Sequence, residues 1–244
     1  MKNIEIVYRF GLPDGSVEEF RVELEPERLG LLTDIPETPP AWTELEFHQC
    51  RNCPLDVNSH RYCPLALSIV DIVEHFDHVL SYDLIHLEVL TEDRHISQQT
   101  SAQLGLSSLM GLLIATSGCP HTEYFKPMAR FHLPLASRDE TIYRAVSTYL
   151  LAQYFLHMEG GKAEFKLDGL KKIYDNIQEV NRRVAERLRA ASEADSPVNA
   201  IVILDTYAKA VPIVIEDELD YIRYLFSPYL KQIEKVETDS ILKH

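Results

Sequence analysis

The sequence contains no run of about 18 uncharged apolar residues, which removes a transmembrane helix. Its nearest approach, LGLSSLMGLLIATSGC, is too short to span and reads as a buried core helix. The opening MKNIEIVYRFGLPDG lacks the apolar core and cleavage pattern of a signal peptide, so a cytoplasmic protein without a membrane partner is expected. Positive charge is scarce as well. Twenty-four Lys and Arg stand against 38 Asp and Glu, for a net charge of −14, which argues against a general affinity for nucleic acid. The densest basic run, Arg182, Arg183, Arg187 and Arg189, is expected to form the solvated face of a helix.

Catalytic signatures are missing too. G-x-S-x-G and H-E-x-x-H do not occur, and MEGGKAE lacks phosphate-loop spacing, so it reads as a flexible loop. No catalytic residue can be assigned, and a non-enzymatic protein is the preferred reading. There are no internal repeats. Cysteine is sparse at four residues, and in a reducing compartment clustered cysteines serve as metal ligands or redox groups more often than as disulfides.

What is present has ordinary globular composition, 45% hydrophobic and 25% charged. Ile4, Ile6, Tyr8 and Phe10 alternate, as do Phe20, Val22 and Leu24. Leu12-Pro13-Asp14-Gly15 lies between them as a turn, and the whole predicts a β-hairpin. After the proline-rich DIPETPPAW, Leu45 and Phe47 predict a short third strand running into Cys50. Leu65, Ile69, Ile72, Val73, Phe76 and Leu80 fall on one stripe of a helix. Ile85, Leu87 and Val89 return to strand spacing, and DRHISQQ either extends that strand or starts a return strand. Beyond residue 100, helices are predicted over 101–117, 139–158, 168–191, 196–210 and 216–226. Ser137 to Glu140 has capping-box spacing, and Pro197 sits in a first turn. Leu170, Ile173, Ile177, Val180, Val184 and Leu188 form a narrow seam on the third of these helices. The expected class is α+β. A small N-terminal antiparallel sheet with one packed helix (1–100) precedes a helical bundle (101–244), the two forming one integrated domain.

The cysteines follow the pattern Cys50-x2-Cys53-x9-Cys63-x55-Cys119. C-x2-C brings two thiolates onto one metal within a single turn. Cys63 precedes a helix start, and Cys119 follows Gly118 at a helix end, where a turn can aim its sulfur back. All four cysteines fit one centre with none left over. A [4Fe–4S] cluster is preferred, because clusters draw ligands from distant segments and cysteine followed by proline occurs in cluster-binding runs. Zn2+ is the alternative. A redox dithiol at Cys50 and Cys53 is a lesser reading. His48 and His121 flank the site as ligands or as residues behind the ligands. Lys126, Arg130 and His132 in KPMARFHLP outline a ligand pocket near Cys119, set against the plainer reading of a proline-fixed connector. A structural or redox- or metal-sensing role is expected from the centre. The alternatives are a zinc-stabilised adaptor that meets a protein partner or a second copy through the helical region, and an iron–sulfur redox enzyme or electron carrier.

FHQCRNCPLD, YCPLA and SGCPHTEYFKPMARFHLPLAS, followed by ETIYRAVSTYLLAQYF, together resemble an uncharacterised family of bacterial cytoplasmic proteins of about this length. The resemblance runs along most of the chain. It implies that the cysteine segments act as a unit, and it brings no fold, substrate or cofactor with it.

Overall fold

The computed structural model describes residues 2–32, 36–76, 78–191 and 195–231. Strands β1 (Ile4–Gly11) and β2 (Val17–Leu24) form the expected hairpin, with Tyr8 opposite Phe20. Gly15 closes the turn at φ 87°, a conformation that costs glycine little, and the Asp14 carboxylate accepts from the Ser16 N–H. Strands β3 (Leu31–Leu32), β4 (Leu84–Leu90) and β5 (His95–Ser101) complete an antiparallel sheet in the order β3-β2-β1-β4-β5. Alternation gives it two unlike faces. Tyr8, Phe10, Leu24, Ile85 and Leu87 are buried, whereas Arg9 pairs with Glu19 and Arg21 with Glu5 on the side facing water.

The stretch around Leu45 and Phe47, expected to be a strand, is a 3-10 turn (Ala41–Thr43) followed by further turns and a single bridge between Glu44 and Tyr62. The reason lies far along the chain. The carbonyls of Trp42, Glu44 and Leu45 accept from the guanidinium of Arg187, and the Glu44 carbonyl also accepts from the Phe47 N–H, which holds the stretch in turns. The helix expected from Leu65 is broken into α1 (Pro64–Ser68) and α2 (Val70–His75). Ser68 Oγ bonds back to the Leu65 carbonyl at 2.8 Å, and the Ile69 N–H turns to the Ala66 carbonyl, which interrupts the helical ladder. The apolar stripe survives the break through Phe76. Leu80 lies past the helix end and is exposed.

Among the described residues, five further α-helices follow: α3 (Ala102–Thr116), α4 (Lys126–Arg130), α5 (Arg138–Met158), α6 (Asp168–Ala191) and α7 (Ser196–Ile222). Both bonds of the capping box at Ser137 and Glu140 are made. Residues 216–226, read as a separate helix, are instead the end of α7 and a 3-10 turn, Arg223–Phe226; the chain continues helically through Pro212. Helix α3 lies on the sheet at Gly105, where a Cβ would stand 2.9 Å from Ile85 Cδ1 and 3.1 Å from Phe10 Cε1. The class is α+β. One core cluster joins the inner face of the sheet to α3, to Val180, Val184 and Leu188 of α6, and to Ala200 and Ile201 of α7. A second cluster lies between α5, α6 and α7. Among the described residues, no helix is long and apolar enough to cross a membrane.

Candidate metal centre

Three segments deliver the four cysteines, all of them free thiols and partly buried. The first is the turn Cys50–Cys53, closed by a 3.1 Å bond from the Cys53 N–H to the Cys50 carbonyl. It is docked on α6 by its two central residues. The Arg51 N–H donates to Glu179 at 3.1 Å, and Asn52 Nδ2 donates to Asn176 Oδ1 at 2.9 Å. The second segment holds Cys63 immediately before α1. Its N–H bonds to the Thr43 carbonyl at 2.8 Å, which ties it to the turn that precedes the cysteine pair. The third is the exit of α3. Gly118 at φ 86° reverses the chain, and the Cys119 carbonyl accepts from both the N–H and the Oγ of Thr122.

The four sulfurs lie within electrostatic reach of one another. Burial pushes the Cys50 thiol up to about 12, and the charges that Cys63, Cys119 and Cys53 would carry as thiolates push the same way. Cys119 is pushed up to about 11, chiefly by burial and against the pull of the His121 N–H. Cys63 is raised as well, again by burial, with Arg187 and the N–H groups of Ala66 and Leu65 opposing. A thiol held this far above neutrality is a poor nucleophile, which weighs against the redox-dithiol reading. Among the described residues, no three His, Cys, Asp or Glu side chains are closed to the spacing that holds a metal ion. The thiols are gathered into one place without being drawn around one point.

Arg187 sets the charge of that place. Only 3% exposed, its guanidinium donates to the carbonyls of Trp42 (2.6 Å), Glu44 (2.7 Å) and Leu45 (3.0 Å) and lies 6.0 Å from the Phe47 ring. No carboxylate among the described residues pairs with it. Burial lowers its affinity for its proton, and the groups that restore it are Cys63, Cys50 and Cys53. A buried cation answered only by neutral carbonyls costs several kcal/mol. Four thiolates around a core of about +2, a zinc ion or an oxidised cluster, leave a net charge of about −2, one unit of which Arg187 would answer. Donor chemistry and the unanswered charge suit a metal–thiolate centre, whereas the spacing of the side chains is not that of a closed one.

Arg187 was expected on a solvated face with its neighbours. Arg189 is exposed, and Arg182 and Arg183 pair with Glu179 and Glu186. Glu179 is held down to about 2: burial works to raise it, and the bonds from Arg182, Arg51 and Arg183 outweigh that. Arg187 alone turns inward. The seam of α6 carries the signal, since Leu170, Ile173, Ile177, Val180 and Val184 alternate steps of three and four, and the next step of three falls on Arg187.

The two flanking histidines brace the site from outside it. His121 Nε2 donates to the Asn52 carbonyl at 2.7 Å, linking the Cys119 segment to the cysteine turn. His48, at φ 48°, sits 3.3 Å from Glu186 and points along α6. Lys126 and Arg130 stand one turn apart on α4, and His132 follows its end. Lys126 pairs with Glu123, and Arg130 lies exposed over the Phe131 ring. His132 turns inward, sharing a hydrogen bond with Tyr8, whose hydroxyl also meets Ser108 at 3.0 Å.

A family model described as Domain of unknown function (DUF6901) matches residues 6–227, and the chain belongs to that family. No curated protein and no solved structure matches it.

Proposed function

We propose that Cys50, Cys53, Cys63 and Cys119 hold one metal–thiolate centre, a [4Fe–4S] cluster before Zn2+, in a structural or redox- or metal-sensing role. The observation that carries this reading is Arg187, a buried cation near these thiols with no carboxylate partner among the described residues. The four sulfurs would hold the metal, and Arg187 would balance the negative charge of the loaded site. Bound there, such a group supplies a cross-link between the three segments and, as a cluster, a store for one electron. His121 and Asn176 position the cysteine turn through the carbonyl and amide of Asn52. A cluster is preferred because its ligands stand on well-separated segments.

One observation favours an additional adaptor role. Leu151, Tyr154, Phe155 and Met158 are all exposed at helical spacing along α5, a face suited to a protein partner or a second copy of the chain.

Anaerobic purification followed by an absorption spectrum and metal analysis tests the centre. A brown protein absorbing near roughly 400 nm with about four irons per chain selects the cluster. A colourless protein with about one zinc selects the alternative. Four freely titrating thiols with neither metal, after reconstitution has been attempted with both, would sink the proposal.

A further inference from the structure

A second site lies on the other side of Thr122, away from the cysteines. A cavity of about 400 Å³ opens between β5, α3, the start of α5, α6 and α7. That volume falls in the range that small-molecule sites occupy. Most of its wall is apolar, from Leu104, Leu112, Phe125, Ile177 and Leu204. Hydroxyls such as those of Thr100, Ser107 and Thr141 and the Gln98 amide also line it, and among the described residues its one permanently charged side chain is Arg144.

Arg144 enters from α5. Its Nη2 donates to the carbonyls of Met128 (2.7 Å) and Phe131 (3.0 Å), and among the described residues its remaining N–H groups have no protein acceptor. The carboxylate that acts on it most, Glu140, is occupied by the capping box and does not reach ion-pair distance. The Tyr174 ring is buried on α6 near Arg144, and its hydroxyl has no hydrogen-bond partner among the described residues. Two helical turns on, Asn181 is 3% exposed, lines the same cavity, and leaves its Nδ2 without a partner. His132, also in the lining, spends its Nε2 on Tyr8. What remains is one uncompensated cation, the Arg144 guanidinium, with the Tyr174 phenol and the Asn181 N–H2 free to donate beside it.

Donors left over in an apolar cavity call for an acceptor, and one cation calls for one negative charge. A phosphate monoester brings nearly two charges and would leave one uncompensated. A carboxylate brings one, and its two oxygens match the planar guanidinium fork. We infer that this cavity is a binding site for a small apolar monocarboxylate, its carboxylate held by Arg144 and the Tyr174 hydroxyl and its body running along α6 toward Asn181. Tyr174 and Asn181 stand about 10 Å apart along the helix, which sets the length of the body. An oxygen near the far end of the ligand would satisfy Asn181.

Octanoate and octan-1-ol are the probes, titrated calorimetrically into the purified full chain. Octanoate is expected to bind at least about tenfold more tightly than the alcohol, since the charged hydrogen bonds are lost with the carboxylate. Tyr174→Phe keeps the shape of the cavity and should weaken octanoate by about tenfold while leaving the alcohol unchanged. Arg144→Gln should remove the preference altogether. Because Arg144 also ties down two carbonyls, its variant is judged only if its circular dichroism matches wild type, and Tyr174→Phe carries the test otherwise. Octanoate failing to bind folded wild-type protein at millimolar concentration would overturn the inference. So would equal binding of acid and alcohol, or a Tyr174→Phe variant that binds octanoate as wild type does.

Discussion

Arg187→Met is the perturbation that separates a charge-balanced metal centre from a set of buried thiols. Methionine keeps much of the aliphatic packing against Phe47 and removes only the charge and the hydrogen-bonding fork. In the metal-free chain two terms oppose each other. The bonds to Trp42, Glu44 and Leu45 are lost, at about 1.5–3 kcal/mol each for a charged donor. Relief of a buried, unanswered cation returns several kcal/mol, so a net loss of about 1–3 kcal/mol in folding stability is expected. The loaded chain loses more. At an effective dielectric of about 20 and an assumed separation of about 8 Å, two unit charges interact by about 2 kcal/mol, so a centre of charge about −2 would lose about 4 kcal/mol. That is about a thousandfold in metal affinity. Chelator competition measures the affinity, and denaturant melts of the stripped protein measure the first term. Arg187→Lys, which keeps the charge and loses the fork, should retain most of the affinity while losing fold stability. If Arg187→Met folds and holds its metal as tightly as wild type, the argument from charge balance fails.

Cys119→Ser and Cys50→Ser should weaken metal binding equally, read as metal per chain after dialysis; a Cys119 variant that stays fully loaded would break the link between the segments. Stripped protein should lose stability at high pH. Folding favours the protonated thiols of Cys50, Cys63 and Cys119, whose pKa values rise above the unfolded value near 9. Their contribution is complete below about pH 9 and falls above it, by about 1.4 kcal/mol per pH unit for Cys50 and Cys119 until their raised values are reached. Loaded protein, with its thiolates already formed, should lack that loss, and parallel melts of the two forms at pH 8 and 10 would contradict it. His132 acts on the acid side. Burial, aided by the Arg144 charge, lowers it from 6.5 to about 3, so the unfolded chain takes up a proton that the folded chain refuses. Stability is whole above about pH 6.5 and lower by about 2–3 kcal/mol at pH 4.5. His132→Gln should flatten this part of the profile in urea melts, and an unchanged acid slope would refute it.

Local patterning made most of the fold legible. The hairpin, β4, the capping box of α5 and the spans of α3, α5 and α6 each rest on periodicity or turn chemistry within a few residues of one another. The departures have distant causes. Leu45 and Phe47 alternate like a strand, yet the carbonyls beside them are claimed from α6, more than 140 residues away. The segments 196–210 and 216–226 read as two helices, but α7 joins them through Pro212, with Val211 and Ile215 on either side packed into the core beside α5 and α6. The spacing of the cysteines was plain in the sequence. The cavity beneath Arg144 was not, because Arg144, Tyr174 and Asn181 look like unremarkable helix residues until three helices meet.

Arg187 also decides how the two parts of the chain depend on each other. It anchors the backbone of 42–45 from α6, and the same helix holds the cysteine turn through Asn176 and Glu179. The thiol pocket is thus assembled on α6, with Cys63 entering through Thr43 and Cys119 through His121 and Asn52. A shift of α6 would move the cation and the cysteine turn together, whereas Cys119 rides on α3. A centre bridging them would couple metal occupancy to the packing of α6 and α7 above the sheet, which is the coupling that a sensing role requires.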